Sequence, residues 1–215
     1  MKNLNRVDTE KAYQILWEKI TSLEIPPGAA LDIQALSENL DMSPTAVKEA
    51  LRILINEHLV EAPPRGLQVT DLHFSDLEKI STIRLNLETL SAQQAARNAT
   101  PDDLVILRAL CEQEAGDNRE LFELDQQFHQ AIAQGAHNQY LAATLDHFYG
   151  LSKRLWFLAL PHLDFLPSAV QSHINLVDAI EEGDEPLAME IMSTHIEDFY
   201  QKITDIITEK NLAED

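Results

Sequence analysis

Residues 43–51 read Ser43-Pro44-Thr45-Ala46-Val47-Lys48-Glu49-Ala50-Leu51, and the reading of this stretch decides the fold of the N-terminal third. A serine before a proline is an N-cap followed by a first-turn residue. The hydroxyl accepts from a backbone N–H that has no helical partner, and proline's fixed φ suits a position whose own N–H would go unused. A helix is predicted from here to about His58. Upstream, Asp32 caps a short helix from Ile33 to Leu40, and the two helices meet across Asp41-Met42. Leu36 and Leu40 on one, with Val47, Leu51 and Leu54 on the other, supply the small shared core of a helix-turn-helix.

The pattern extends in both directions. Before it, Ala12, Ile15, Leu16, Ile20 and Leu23 form an apolar stripe of helical period over Thr9 to Ser22, stopped by Pro26-Pro27-Gly28. After it, Leu59-Val60-Glu61-Ala62 and Leu67-Gln68-Val69-Thr70 flank the turn-rich Pro63-Pro64-Arg65-Gly66, which reads as a β-hairpin wing. Ser75-Asp76-Leu77-Glu78 has the spacing of a capping box and predicts a long helix to about Asn98. Beyond it every segment reads as helix. Thr100-Pro101 caps one, Asn118 another that runs to about Gln134, and Asn138 a third that ends before Pro161. Gly183-Asp184 separates the last two, at Ser168 to Glu182 and Glu185 to Asn211. The expected fold is mainly α: a winged helix-turn-helix over residues 1–72, then an all-α antiparallel helical bundle over residues 73–215 that binds an effector and dimerises.

Composition narrows the function classes. With 45 % hydrophobic and 24 % charged residues, and few Gly and Pro, the chain is that of a globular protein rather than a fibrous or disordered one. The lone Cys111 cannot form an internal disulfide, and Met1-Lys2-Asn3-Leu4-Asn5 has no apolar run of the signal-peptide kind, so a cytoplasmic location is expected. No apolar stretch approaches the ~18 residues of a membrane span. The net charge of −20 opposes nonspecific nucleic-acid binding, which rests on Lys and Arg at phosphates. That acidity is uneven. Up to Leu72 there are seven Lys/Arg against eleven Asp/Glu, a net of −4; after it, nine against twenty-five, a net of −16. A DNA-binding face is feasible on the first part if its few cations cluster.

The order of helix, helix-turn-helix, wing and bundle, with Leu31 to Leu40, the 43–51 stretch and Pro64-Arg65-Gly66, resembles the GntR family of bacterial regulators, and the bundle resembles the effector domain of its FadR-type branch. The resemblance covers about Ala12 to Ile207. It implies a homodimeric, operator-binding transcription regulator, most simply a repressor, whose bundle binds a small organic acid, often with a divalent metal. It also exposes departures. The family's usual arginines are replaced here by Pro44 and Lys48, and Gln34 stands where some members carry a third. Arginine clamps guanine or phosphate through a planar fork that lysine lacks, so the family's operator sequence does not transfer. The DNA-contact candidates are Ser43, Thr45, Lys48 and Arg52 on the recognition helix and Arg65 and Gly66 at the wing tip. Arg52 has a plainer reading as a surface partner of Glu49 or Asn56.

A metal site is argued from spacing. Asp125 and His129 are four apart on one helix and share a face. His173 and His195 each lie eleven residues from Asp184, so in an antiparallel hairpin they stand level, about 16 Å from the turn at ~1.5 Å per residue. Ile174, Val177 and Ile180, and Ile191, Met192 and Phe199, set both histidines beside an apolar stripe. Three imidazoles and a carboxylate suit zinc, with nickel or a similar ion as alternatives. The four also match, residue by residue, the Asp, the His four later and the two further His of the family's effector domain. Arg84 matches an effector-contacting arginine of the family, and Arg154 is a second candidate. The plainer reading of Arg84 is an intrahelical pair with Glu88. Trp156 and Phe157 are candidate pocket walls. His58, His73, His137, His147 and His162 fit no ligand pattern.

Three functions compete: a regulator controlled by a carboxylate metabolite at the metal, a metal-ion sensor, and a metal-dependent hydrolase or lyase. The last lacks a carboxylate or lysine at helical spacing from the ligands to act as base, so a non-enzyme is expected.

Overall fold

The computed structural model describes the backbone of residues 2–162 and 166–210, and side chains of residues 7–73, 75–161 and 171–209. Two compact units divide it, Met1–His73 and Phe74–Asp215.

In the first unit α1 (Lys2–Thr21) packs on α3 (Pro44–Asn56), with α2 (Ile33–Leu40) beside α3. Its core is Ala12, Leu16 and Ile20 from α1 and Ala46, Val47, Ala50, Leu51 and Leu54 from α3, all sealed from solvent. Both predicted caps form: Asp32 accepts from the Ala35 N–H at 2.8 Å and Ser43 from the Ala46 N–H at 3.2 Å. Asp41 makes the turn between α2 and α3 in the left-handed region, φ 52°, and Ser37 Oγ donates to the Met42 carbonyl at 2.5 Å. Two members of the predicted α1 stripe fall outside the core. Ile15 is exposed, and Leu23 lies past the helix end at φ 61°, where the chain turns toward Pro26.

The wing pairs β2 (Val60–Glu61) with β3 (Leu67–Val69), and β3 also pairs with β1 (Ala30–Leu31), giving a three-stranded antiparallel sheet in the order β1-β3-β2. Sequence patterning missed β1, because two residues are too few to show alternation. Gly28, at φ 72°, turns the chain into it, and its N–H donates to the Val69 carbonyl at 3.0 Å.

The second unit holds α4 (Phe74–Asn98), α5 (Pro101–Cys111), α6 (Asn118–Gly135), α7 (Gln139–Ala159), a 3-10 turn (Leu160–His162), α8 (Leu166–Glu181) and α9 (Glu185–Lys210). The long α4 packs on α6, α7, α8 and α9, so it forms the axis of the bundle. Its Ala92 and Ala95 share one core with Phe128, Ile132, Leu176, Val177, Ile180 and Met192. Small residues on α4 let the neighbouring helices approach closely. Gly183, at φ 71°, ends α8, and the Asp184 side chain accepts from the Leu187 N–H at 3.0 Å to open α9, as its sequence predicts. Thr100 and Asp103 form a complete capping box. Two cap assignments change. α4 begins at Phe74, which puts Ser75 inside the helix rather than at its cap, and the cap of α6 is Asp117, one residue before the predicted Asn118. No helix among the described residues is long and apolar enough to cross a membrane.

Candidate metal centre and nucleic-acid interface

The DNA-contact candidates sit where the caps put them. Ser43, Thr45, Lys48 and Arg52 are exposed on α3, and Arg65 and Gly66 are exposed at the wing tip. Gly66 has φ 124°, a backbone few other residues adopt, and no atom lies within 4 Å of where a Cβ would stand. Arg52 carries an ion pair with Glu49 at 2.9 Å, and Gln34 donates to Glu38 at 2.9 Å. The pairing foreseen for Arg52 is thus present, and it partly neutralises an already cation-poor face.

In the bundle, α6 contributes Asp125 and His129, α8 contributes His173 and α9 contributes His195, and all four are buried. One ligand atom from each lies within 4.8 Å of every other. His129 Nε2 and His195 Nε2 are 3.1 Å apart, and Asp125 Oδ1 is 3.3 Å from His173 Nε2, 3.8 Å from His129 Nε2 and 3.9 Å from His195 Nε2. Atoms that each stand about 2.1 Å from one shared ion lie about 3–4 Å from each other, which is this spacing. Asp125 Oδ1 and His173 Nε2 have no hydrogen bond despite burial. Orphaned polar atoms at such depth cost free energy, and an ion among them removes the cost. The donor set fits a divalent metal.

The rings have outer neighbours as well. His195 Nδ1 is 2.9 Å from Ser172 Oγ, and His173 stacks on Phe128 with ring centroids 4.0 Å apart. His129 Nδ1 lies 2.5 Å from Glu88 Oε2, a close contact whose angle falls outside hydrogen-bond geometry. The other oxygen of Glu88 takes Arg84: Nε at 2.7 Å and Nη2 at 2.6 Å. Both partners are buried, Arg84 at 4 % exposure and Glu88 at 1 %. The guanidinium also faces the rings of Trp156 at 4.3 Å and Tyr149 at 4.9 Å.

Electrostatics follow from this packing. Burial alone would raise the Glu88 carboxyl, but Arg84 and His129 outweigh it and hold it down to about 2. Asp125 is held well below the usual carboxylate range, because the histidines around it overcome its burial. Burial and the neighbouring His129 push His195 down to about 3. For His129 burial is outweighed by Glu88 and Asp125, and its imidazole is pushed up.

Arg84 lines the same small cavity as Asp125, His129 and His195, with Trp156 and Phe199 among its walls; its volume is about 10 Å³. That is room for about one water-sized species. Arg154 is buried at 2 % exposure but is not among that cavity's lining residues, and Phe157 instead meets Phe122 edge-on at 5.6 Å. Ser172 and His195 line a separate groove of about 380 Å³ between α8 and α9. Of the other histidines, His137 pairs with Asp103 at 2.8 Å, His58 and His73 are exposed, His147 is half-buried, and the side chain of His162 lies outside the described residues.

Two family models match the chain. Bacterial regulatory proteins of the gntR family match at residues 8–66, and the FCD domain at residues 79–198. The chain belongs to the GntR family. Its second unit carries the FCD domain of the FadR-type branch. Among relatives, it is 30 % identical to the HTH-type transcriptional regulator McbR of Escherichia coli K12, over 83 % of this chain and 86 % of that protein. It is 24 % identical to the HTH-type transcriptional repressor RspR of the same organism, over 94 % and 91 %. The solved structure of E. coli McbR/YncC superposes with a TM-score of 0.81 at 23 % identity, covering 94 % of this chain and 98 % of that one, which shows a shared fold. These relatives are transcription regulators, not enzymes. The GntR-family chain is accordingly a DNA-binding regulator with a buried Asp/His cluster, consistent with a metal site, in its FCD domain.

Sequence reasoning missed two residues of the cluster's surroundings. Ser172 carries no signal beyond lying next to His173. Glu88 was visible only as a helical partner of Arg84; its reach to His129 depends on how α4 packs on α6.

Proposed function

We propose that this regulator acts as a cytoplasmic homodimer, most simply a repressor. It reads operator DNA with Ser43, Thr45, Lys48, Arg52, Arg65 and Gly66, and is controlled through a divalent ion on Asp125, His129, His173 and His195. Zinc suits three imidazoles and one carboxylate best, with nickel next. The observation that carries the reading is the convergence of four ligand atoms, two of them buried and orphaned, on one point. When bound, the ion offers a Lewis-acid docking point for a carboxylate oxygen. Arg84, on the wall of the same cavity, is the cation beside it, and a small carboxylate metabolite is the effector class that fits this pair. Arg154 is the second effector candidate, buried but not on that cavity's wall. Effector binding would shift the bundle between two states of different operator affinity.

A second reading, a sensor of the ion itself, is favoured by the small cavity and by Glu88 already occupying Arg84. A mobility shift with the protein's own upstream DNA, run across salt with and without EDTA and with added acids, separates the two. A shift that responds to EDTA and to an acid supports the first reading, and one that responds to EDTA alone supports the second. Absence of any shift at low salt rejects both. Elemental analysis of His173→Ala and His195→Ala tests the ligands: both lose bound metal while helical content stays, and wild-type metal content in either variant refutes the assignment.

A further inference from the structure

Glu88 and Arg84 form an ion pair that nothing in bundle stability requires. A buried pair is weakly stabilising at best, and well-packed apolar residues of the same volume often do better. At 4 % and 1 % exposure, with two aromatic rings over the guanidinium, the pair pays full desolvation next to the His/Asp cluster. Its arrangement is directional: Oε1 takes both contacts from Arg84, and Oε2 lies 2.5 Å from His129 Nδ1.

We propose that Glu88 is a positioning residue of the metal centre: anchored by Arg84 through one oxygen, it holds the His129 ring with the other so that Nε2 faces the ion. The inference rests on the metal reading above and deepens it. An imidazole that gives Nε2 to a metal keeps its proton on Nδ1, and Glu88 Oε2 is the carboxylate atom in reach of that proton. His195 has a neutral counterpart in Ser172 Oγ, 2.9 Å from its Nδ1. The two orienting groups differ in kind. Ser172 lines a groove on the surface, whereas Glu88 is sealed and adds a second negative charge beside a site with a single carboxylate ligand. Arg84, in this arrangement, serves the ion through Glu88, and an incoming carboxylate meets it only in competition with Glu88.

The test uses the full chain, stripped of metal by a chelator and titrated with Zn2+ against a chromophoric competitor. Glu88→Ala weakens Zn2+ binding by about 10- to 100-fold, the range for loss of an outer partner of a metal-bound histidine. Glu88→Gln recovers part of that loss at most, since its single amide oxygen can accept from the His129 Nδ1 proton or from Arg84 but not from both. Zn2+ binding by Glu88→Ala equal to wild type overturns the proposal. Should Glu88→Ala fail to fold by circular dichroism, 15N spectra of the histidine-labelled, Zn-loaded wild type and Glu88→Gln decide. A proton on His129 Nδ1 in both upholds the assignment; a metal on Nδ1 overturns it. Failure of wild type to bind Zn2+ at all is a distinct result that removes the metal reading and this inference with it.

Discussion

The two candidate sites of this regulator are built in opposite ways. The candidate DNA face is made of exposed side chains set by helix caps and a hairpin turn, on a unit of net charge −4. The His/Asp cluster is made of buried polar groups drawn from three helices of a unit of net charge −16, and its members have meaning only together. Exposed sites are cheap to change, because water replaces whatever a side chain loses. Buried ones are not, because each remaining atom inherits an unmet partner. Substitution on the first face should therefore alter binding and spare stability, whereas substitution around the second should alter both.

The sharpest contrast comes from behind Trp156, on the wall of the cavity beside the His/Asp cluster. Phe122 is fully buried and meets Trp156 edge-on at 5.3 Å. Phe122→Ala is expected to cost about 3–5 kcal/mol in a urea melt, with metal affinity falling as Trp156 loses its support. Next in size is the ion itself. If the cluster binds Zn2+ as proposed, the ion at 100 times its dissociation constant is expected to stabilise the chain by about 2.7 kcal/mol, and EDTA to remove that increment. Equal melts with and without EDTA would break the comparison at its buried end. On the exposed face, Arg65→Ala is expected to weaken operator binding and lower the slope of log K against log salt by about 1, with the melt unchanged within ~0.5 kcal/mol. Smallest is Thr100→Ala, which removes a capping box that includes no residue of either candidate site and should cost about 1 kcal/mol without touching either binding.

Acidity sharpens the picture for the metal-free protein. His195 titrates at about 3 when folded against an ordinary value of 6.5, so below 6.5 the unfolded chain binds more protons and stability falls as pH drops. His129 is raised above 6.5, so its contribution is present below that value and is lost as pH rises. The two windows meet, and metal-free stability is expected to peak near pH 6.5. Urea midpoints that keep rising through pH 8 would contradict this. In the Zn-loaded protein the alkaline loss should vanish, since the ion competes with protons for the same nitrogens.

Much of this was legible in the sequence because it depended on local rules. Ser43 before Pro44, Asp32 before Ile33 and Gly183 before Asp184 each state a helix boundary in two residues, and all three hold. Equal spacing of His173 and His195 from one turn brought their rings to 4.8 Å. Local rules also misplaced what neighbours decide. Ser75 satisfied the capping-box spacing, yet the helix had already begun at Phe74. Strand β1 is only two residues and exists because β3 offers it an edge. Ile15 kept the helical phase but no element of its unit covers it.

Chain order and residue type by themselves determined a winged helix-turn-helix followed by a helical bundle, the exposed cations, and which histidines share a level and a phase. These are properties of one helix or one turn, fixed by backbone hydrogen bonding within a few residues. Only tertiary packing decided that Glu88, paired with Arg84 one turn away on its own helix, also reaches His129, and that the space beside the cluster shrinks to about 10 Å³. Those depend on distances between helices far apart in sequence, where a buried charge takes whichever partner the packing brings near.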